Sequence, residues 1–199
     1  MANNGGDTVE HPRKPMRLSG YDYATAGAYY ITVCIESRRP CLCYITVEGS
    51  ELLPPNGHFV SNMTEAGNEV ERVLLSIPEK YPTVSVDKYV IMPNHLHMIL
   101  MLGSTEGESV DRLAGGGTPP LQTAGSEEHG KHPTVGAVMG WFKYQTTKQI
   151  NEISGTQRAK IWQRSYYDRI IRDDGEYLQI WRYIDENPLR WREDELYIP

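Results

Sequence analysis

Hydrophobic and polar residues alternate along several short stretches of the chain, and an alternation with period two predicts β-strands. The stretches with this pattern are residues 29–36, 42–47, 86–102 and 160–171. Within the third, which is the most apolar, Pro93-Asn94 interrupts the pattern and predicts two strands or one kinked strand. Residues 52–61 contain two prolines and a glycine, and are expected to form a loop.

Apolar residues at helical spacing predict three helices. The first runs from an N-cap at Thr64 to about residue 77, where Pro78 should end it, and the second runs from Thr134 to about residue 150. The third begins at Asp173-Asp174 and ends at Asn187-Pro188, because proline disfavours helix at the residue before it. The buried stripe of the third helix is expected to comprise Tyr177, Ile180, Trp181 and Ile184.

This order of elements predicts an α+β fold, a ferredoxin-like sandwich in which an antiparallel sheet carries its helices packed on one face. The length of 199 residues suits one domain. We expect a polar N-terminal tail over residues 1–16 and a single domain over residues 17–199. Residues 103–133 are rich in Gly, Ser, Thr, Glu and Pro, and are expected to form a flexible insertion in that domain.

Composition narrows the function classes. No apolar run is long enough to cross a bilayer, and three cysteines without a CxxC pair fit a reducing compartment, so we expect a cytoplasmic protein with no membrane partner. The net charge of −6 argues against nucleic-acid binding, but it hides a pattern. Residues 11–44 and 141–172 are each net basic and the remainder is acidic. The two basic stretches form either one positive face or two ordinary solvated surfaces.

His95-Leu96-His97 is the sharpest chemical feature. In a strand the side chains of residues i and i+2 share a face, so both imidazoles can converge on one metal ion. Two histidines on a strand are also common without a metal, and a zinc site would need further donors. Cys41 and Cys43 could supply them, although thiols beside a strand turn are usually small core residues.

The third helix carries a second feature. Tyr183 and Asn187 lie one turn apart on a shared face, where they could be a nucleophile beside a metal ligand, or simply cover the edge of the core. Combined with the histidine pair, they suggest a specific reaction. A cation held by imidazoles and an amide oxygen can polarise a phosphodiester, and a tyrosine can then attack the phosphorus.

Several short motifs, in this order, resemble those of the REP-associated tyrosine transposases of bacteria, which belong to the single-tyrosine HUH transposases. The resemblance covers residues 17–191 apart from the insertion. The matching segments are residues 20–23 (GYDY), 27–32 (GAYYIT), 92–97 (MPNHLH), 141–143 (WFK), 161–167 (IWQRSYY) and 183–188 (YIDENP).

The resemblance implies that His95 and His97 form the HUH motif on a central strand of a ferredoxin-like fold. It implies that Tyr183 attacks single-stranded DNA to give a 5′-phosphotyrosine and a free 3′-OH, and that Asn187 completes a Mg²⁺ or Mn²⁺ site. Imidazole is an unusual ligand for Mg²⁺, and the two histidines therefore favour Mn²⁺ as the bound ion. The function implied is a single-strand DNA endonuclease and strand transferase acting on hairpin-associated DNA in transposition.

The sequence also predicts DNA-phosphate contacts for four basic residues, Arg38, Arg39, Lys143 and Arg169. Several alternatives stay open. The chain could be a domesticated hairpin-binding protein without strand transfer, or an unrelated ferredoxin-like domain with a zinc or copper site. The nucleophile could be one of Tyr166 and Tyr167 rather than Tyr183. The chain could act as a monomer or a homodimer, with Tyr183 reaching the histidines of its own chain or of another.

Overall fold

The computed structural model describes residues 21–48, 58–103 and 133–198. They form six strands, four α-helices and one 3₁₀ helix. The elements are β1 (Gly27–Cys34), β2 (Cys43–Glu48), β3 (His58–Met63), α1 (Glu65–Leu75), α2 (Ile77–Lys80), β4 (Val84–Ile91), β5 (His95–Leu102), α3 (Val135–Ile153), β6 (Tyr167–Ile171), α4 (Asp174–Glu186) and the 3₁₀ helix (Asn187–Glu193).

Four of the strands form one antiparallel sheet in the order β4-β5-β1-β6. With α1 after β1 and α3 after β5, the chain follows the β-α-β-β-α-β path of a ferredoxin-like fold, and β5 and β1 are the central strands. The predicted α+β fold with helices packed on an antiparallel sheet is confirmed. The β2–β3 hairpin forms a separate two-stranded sheet.

The helices divide between the two faces of the sheet. Alternate residues of each strand point to opposite faces. On one face the apolar side chains pack under α1 and α3, as the sequence predicts, and make the larger core. On the other face α4 packs on a small apolar cluster, which contains Ala28, Ile99, Ile171, Ile180 and Ile184. The single helical layer of the prediction therefore describes α1 and α3, whereas α4 covers the opposite face.

Polar caps fix where the long helices begin. The hydroxyl of Thr64 accepts a hydrogen bond from the Gly67 amide at 3.0 Å, and the hydroxyl of Thr134 accepts one from the Ala137 amide at 3.1 Å. A carboxylate oxygen of Asp173 does the same for the Glu176 amide at the start of α4. Each cap satisfies an amide that has no partner inside its helix. The three predicted helix starts are confirmed.

Three local predictions are wrong. Residues 58–61 were expected in a loop and instead belong to β3, because pairing with β2 overrides their loop-like composition. Pro78 does not end the helical segment but lies in the first turn of α2, where its missing N–H is not needed. Trp181 was expected in the buried stripe of α4, yet it is 36% exposed, and the Lys88 ammonium lies 3.8 Å from the centre of its ring.

The predicted tail and most of the predicted insertion lie outside the described residues. Among the described residues, no helix is long and apolar enough to span a membrane.

Candidate functional site

The two histidines lie at the start of β5, on the face of the sheet that α4 covers. Both are buried, with relative exposures of 0% for His95 and 3% for His97. Their Nε2 atoms are 3.0 Å apart. The alternation of the strand places Leu96 on the opposite face, in the larger core. The predicted convergence of the two imidazoles is what the structure contains.

Asn94 determines which nitrogen of His95 carries the proton. The Asn94 side-chain amide donates to the backbone carbonyls of Arg38 and Leu196, so its Oδ1 atom faces His95. That oxygen lies 2.9 Å from Nδ1 of His95 and can only accept a hydrogen bond. Nδ1 of His95 is therefore the donor, and its Nε2 atom presents a lone pair toward His97.

His97 is held from β1. Its Nδ1 atom lies 2.7 Å from the Tyr30 hydroxyl and 2.9 Å from the Thr32 hydroxyl. Thr32 is the cross-strand register partner of His97, so the sheet itself fixes this contact. Partners at Nδ1 leave Nε2 directed at His95, which is how outer-shell groups orient imidazole ligands of metals.

Burial keeps both rings neutral. It lowers the pKa of His95 to about 4, although the Asp194 carboxylate raises it in part. Burial and the neighbouring His95 ring lower the pKa of His97 well below its usual value. Neutral imidazole is the form that binds metal ions, so the site is prepared for a cation at neutral pH.

The spacing and the surrounding oxygens fit a divalent cation. An octahedral ion with bonds of about 2.1 Å separates neighbouring ligand atoms by about 3.0 Å, which matches the distance between the two Nε2 atoms. Asn187 is buried, and its Oδ1 atom has no hydrogen-bond partner among the described residues. A carboxylate oxygen of Asp194 and one nitrogen of each histidine all lie within 4.8 Å of one another. Two nitrogens and the Asp194 oxygen are thus close enough to be offered to one ion, and the Asn187 oxygen is buried and unpartnered.

Asp194 was missed by the sequence analysis. It caps the C-terminal end of the 3₁₀ helix, which follows α4. In that helix the Trp191 ring lies 5.9 Å from the His95 ring. Asp194 stands in an acidic run, Glu193-Asp194-Glu195, that has no distinguishing motif. Only the path of the chain after Pro188 singles it out, and no spacing rule predicts that path.

Tyr183 projects from α4 toward the histidines. Its ring centre is 5.3 Å from that of His97 and 6.3 Å from that of Tyr30, and the side chain is 47% exposed. Burial raises the pKa of Tyr183, and Asp194 raises it further, whereas hydrogen bonding to Asn187 and Tyr30 lowers it. A phenol here is close to the imidazoles and open to a substrate, but the protein alone does not favour its ionised form.

The alternative tyrosines are placed differently. Tyr166 packs against the larger core, on the other face of the sheet. Tyr167 is on the histidine face and its ring centre is 6.4 Å from that of Tyr30. Among the ring contacts of the described residues, Tyr183 pairs with a histidine and Tyr167 does not. Of these three tyrosines, Tyr183 is therefore the one whose ring contacts the histidine pair.

The four predicted DNA-binding residues do not form one equivalent group. The Arg38 carbonyl holds Asn94, so Arg38 borders the histidine site, and Arg39 follows it with its side chain exposed. The Lys143 ammonium instead donates to the backbone carbonyls of residues 163 and 165, and burial lowers its pKa to about 8. Arg169 forms an ion pair with Glu176.

The cysteines stay apart from this site. The Cys43 thiol is buried and donates to the Ile91 carbonyl. The cluster of metal-binding side chains found among the described residues contains neither Cys41 nor Cys43. Their role as additional zinc ligands is therefore wrong for this histidine pair.

Two proteins of known sequence are similar to this chain over most of its length. No protein-family model matches the sequence. A Haemophilus influenzae protein described as "Uncharacterized protein" is 34% identical over 193 residues, 94% of this chain and 94% of its own. A second protein of that organism, described as "Putative REP-associated tyrosine transposase", is 22% identical over 179 residues, 87% of this chain and 77% of its own.

Among solved structures, a REP-associated tyrosine transposase bound to a REP hairpin matches with a TM-score of 0.47 and 19% identity, over 87% of this chain and 74% of that one. The resemblance to the REP-associated tyrosine transposases that the motifs indicate is confirmed by the second Haemophilus influenzae relative. By its 34% identity over nearly the whole length of both chains, the protein belongs to the same family as the first of these two relatives.

Proposed function

We propose that this protein is a metal-dependent tyrosine endonuclease and strand transferase that acts on single-stranded DNA beside a hairpin. One observation carries the proposal. Two buried, neutral imidazoles bring their Nε2 atoms to 3.0 Å, and the ring of an accessible tyrosine, Tyr183, packs against one of them. This arrangement does nothing for the packing of an apolar core, but it is what a site needs in order to hold a cation beside a nucleophile.

The residues that would hold the cation are His95, His97 and Asn187, with Asp194 as a fourth. The unpartnered Oδ1 atom of Asn187 supports this set, because a buried amide oxygen without a hydrogen bond costs about 1–3 kcal/mol unless something binds it. When bound, a divalent ion supplies positive charge that polarises the phosphodiester and favours the phenolate form of a neighbouring tyrosine. The imidazole ligands favour Mn²⁺ over Mg²⁺.

The step that we propose for Tyr183 is a transesterification. Its phenolic oxygen forms a bond to phosphorus while the bond from phosphorus to the 3′ oxygen breaks. The 3′ oxygen leaves with a proton as a 3′-OH, and the 5′ phosphate stays on the tyrosine. One phosphoester replaces another, so a second 3′-OH can reverse the step and join a new strand without ATP.

The substrate class follows from the motif resemblance and from the name of the second relative, which refers to REP elements. The hairpin would lie to one side of the reacting phosphate, and the single-stranded DNA next to the hairpin would cross the histidine face. The Arg38 carbonyl accepts a hydrogen bond from Asn94 beside that face, and the side chains of Arg38 and Arg39 are proposed to contact phosphates there.

A domesticated hairpin-binding protein is the second candidate. The observation that favours it is the pKa of Tyr183, which burial and Asp194 raise, so that the tyrosine is a weak nucleophile in the protein without a cation. The two candidates differ in whether a covalent protein–DNA bond ever forms.

That bond is the test. The protein is incubated with a library of single-stranded hairpins and Mn²⁺, and covalent adducts are resolved under denaturing conditions. We expect an adduct with the unchanged protein and with Tyr167→Phe, none with Tyr183→Phe, and none in EDTA. Adduct formation by Tyr183→Phe but not by Tyr167→Phe would refute our choice of nucleophile. If hairpins bind but no variant forms an adduct, the chain is a binding protein.

A further inference from the structure

A second concave surface lies away from the histidine pair, between α3 and residues 158–164. It is a cavity of about 370 Å³, near the lower end of the ~300–1,000 Å³ typical of small-ligand sites. Four of the described residues that line it are basic and none of them is acidic. The basic residues are Lys143, Arg158, Lys160 and Arg164. We call this surface the basic groove.

The loop that carries part of the groove is held by hydrogen bonds to one side chain. Asn151, near the end of α3, accepts hydrogen bonds from the Thr156 hydroxyl and the Ala159 amide, and donates to the Ala159 carbonyl. Arg158 lies inside this loop with a φ of 59°, in the left-handed region that non-glycine residues seldom adopt. Such strain persists where the surroundings impose it, and it recurs at ligand-binding sites.

The charges of the groove are largely unneutralised. In the part of the chain that the structure describes, Arg158, Lys160 and Arg164 form no ion pair with an acidic side chain, and all three are exposed. Arg169, by contrast, is paired with Glu176. A concave surface lined by free cations attracts a polyanion, and DNA is the polyanion of the proposed reaction.

One aromatic side chain of the groove is largely open to solvent. Tyr144 lines the groove from α3 and is 66% exposed. An exposed ring beside cations is the combination by which proteins hold single-stranded nucleic acid, because the ring stacks on a base while the cations contact the phosphates. Duplex DNA keeps its bases stacked on one another and would leave the ring unused.

The groove is also connected to the histidine site. The backbone amide of Gln163, which lines the groove, donates to the carbonyl of Cys34 at 2.9 Å. Cys34 is the register partner of His95 in the sheet. Because α3 and the histidines lie on opposite faces of the sheet, a strand whose reacting phosphate lies at the histidines would pass around the end of β1 to enter the groove.

We infer that the basic groove binds the single-stranded segment of the DNA substrate, with Arg158, Lys160 and Arg164 at its phosphates and Tyr144 stacked on a base. The inference rests on the proposed function only in taking DNA as the partner. It names a contact surface that the histidine site does not include.

The test measures binding alone, so that it stays readable whether or not the protein cleaves DNA. Tyr183→Phe protein in EDTA is titrated into a labelled oligo(dT) strand of about 20 nucleotides at several salt concentrations, since single-strand binding modules commonly cover about 4–16 nucleotides. Arg158→Gln/Lys160→Gln should weaken binding about tenfold and reduce the log–log salt slope by about 1.4, or about 0.7 for each phosphate that the variant no longer neutralises. The matched control is Arg72→Gln/Lys80→Gln, which removes the same charge from α1 and α2 and should leave the slope nearly unchanged.

Stacking is tested in the same assay. Tyr144→Ala should weaken binding about tenfold, and Tyr144→Phe should retain it. If the double variant is poorly folded by circular dichroism, Arg164→Gln alone should reduce the slope by about 0.7. A slope equal to that of the control, or no salt-dependent binding of the strand at all, overturns the inference. An equal loss with a blunt hairpin that has no single-stranded end would assign the groove to duplex DNA and overturn the single-strand assignment.

Discussion

The two faces of β5 are both buried, but they differ at the start of the strand. On one face Leu96, Met98 and Leu100 have no exposed surface, and they pack among apolar side chains under α1 and α3. On the other face the first two positions are histidines, which are buried almost as completely beneath α4 and the 3₁₀ helix. One strand thus alternates between side chains whose removal from water is favourable and side chains for which it is costly.

The two faces of β5 therefore have different roles, one in stability and one in binding. The apolar face needs no further explanation, since burying one Leu side chain stabilises the fold by about 1.5–3 kcal/mol. On the histidine face each Nδ1 atom has a partner, while the two Nε2 atoms face each other at 3.0 Å. That contact can be a hydrogen bond between the two rings, but the unpartnered Oδ1 atom of Asn187 is not satisfied in this way, and a cation would bind it together with the imidazoles.

Replacing one residue from each face of β5 by alanine gives the largest expected effects. His97→Ala should reduce adduct formation by more than about 100-fold, because the cation supplies several kcal/mol of transition-state stabilisation, while hairpin affinity persists. Leu96→Ala should leave the chemistry of the folded fraction intact and lower the free energy of unfolding by about 3 kcal/mol. The adduct assay and urea denaturation measure the two outcomes. Near-normal adduct formation by His97→Ala would refute the HUH assignment.

The histidine face should also make stability depend on pH. In the unfolded chain both histidines titrate near pH 6.5, whereas in the fold the pKa of His95 is about 4 and that of His97 is well below its usual value. Below about pH 6.5 the unfolded state therefore binds protons that the folded state does not. As the pH is lowered through this range, the free energy of unfolding decreases by about 1.4 kcal/mol per pH unit for each histidine.

Urea denaturation at pH 7, 6 and 5 in EDTA measures this dependence. The difference between the unchanged protein and His95→Ala/His97→Ala isolates the two rings from the other titrating groups. Parallel pH profiles for the two proteins would show that the histidines are not buried as neutral rings.

A smaller effect is expected from the residue that orients His95. Asn94→Ala removes the acceptor at Nδ1 and frees the ring, which should weaken Mn²⁺ binding by about 10–100-fold, the usual cost of losing an outer-shell partner. Asn62→Ala makes the same chemical change at an exposed hydrogen bond to Thr46 and should not alter the affinity. Titration calorimetry compares the two. An unchanged affinity in Asn94→Ala would mean that the ring is positioned by its packing alone.

The sequence predicted the histidine pair and the tyrosine–amide pair because each is a local pattern. Residues i and i+2 of a strand share a face, and residues i and i+4 of a helix do too. The face on which α4 packs was not predictable from the same stripe of apolar residues, since Ile180 and Ile184 could have covered either side of the sheet. The pairing of β3 with β2 and the position of Asp194 were likewise set by tertiary contacts between segments far apart in sequence.

The smallest effect concerns Arg38 and Arg39, whose contacts with DNA we expect at the edge of the histidine face. Arg38→Gln/Arg39→Gln should reduce the log–log salt slope of single-strand binding by about 1.4, with little loss of stability because both side chains are exposed. Fluorescence anisotropy across a salt series gives the slope. If it is unchanged, these arginines are ordinary surface charges and the DNA path lies elsewhere.

If His95 and His97 bind one divalent cation together, the magnetic couplings between bound Mn²⁺ and the imidazole nitrogens report both ligands at once. Electron spin-echo envelope modulation of the Mn²⁺-loaded protein should show two imidazole nitrogens in the unchanged chain, one in His97→Ala and none in His95→Ala/His97→Ala. Neutral rings whose Nε2 atoms are 3.0 Å apart require that pattern. Bound Mn²⁺ without imidazole coupling, or a coupling that survives the double substitution, would show that the two histidines do not bind the cation.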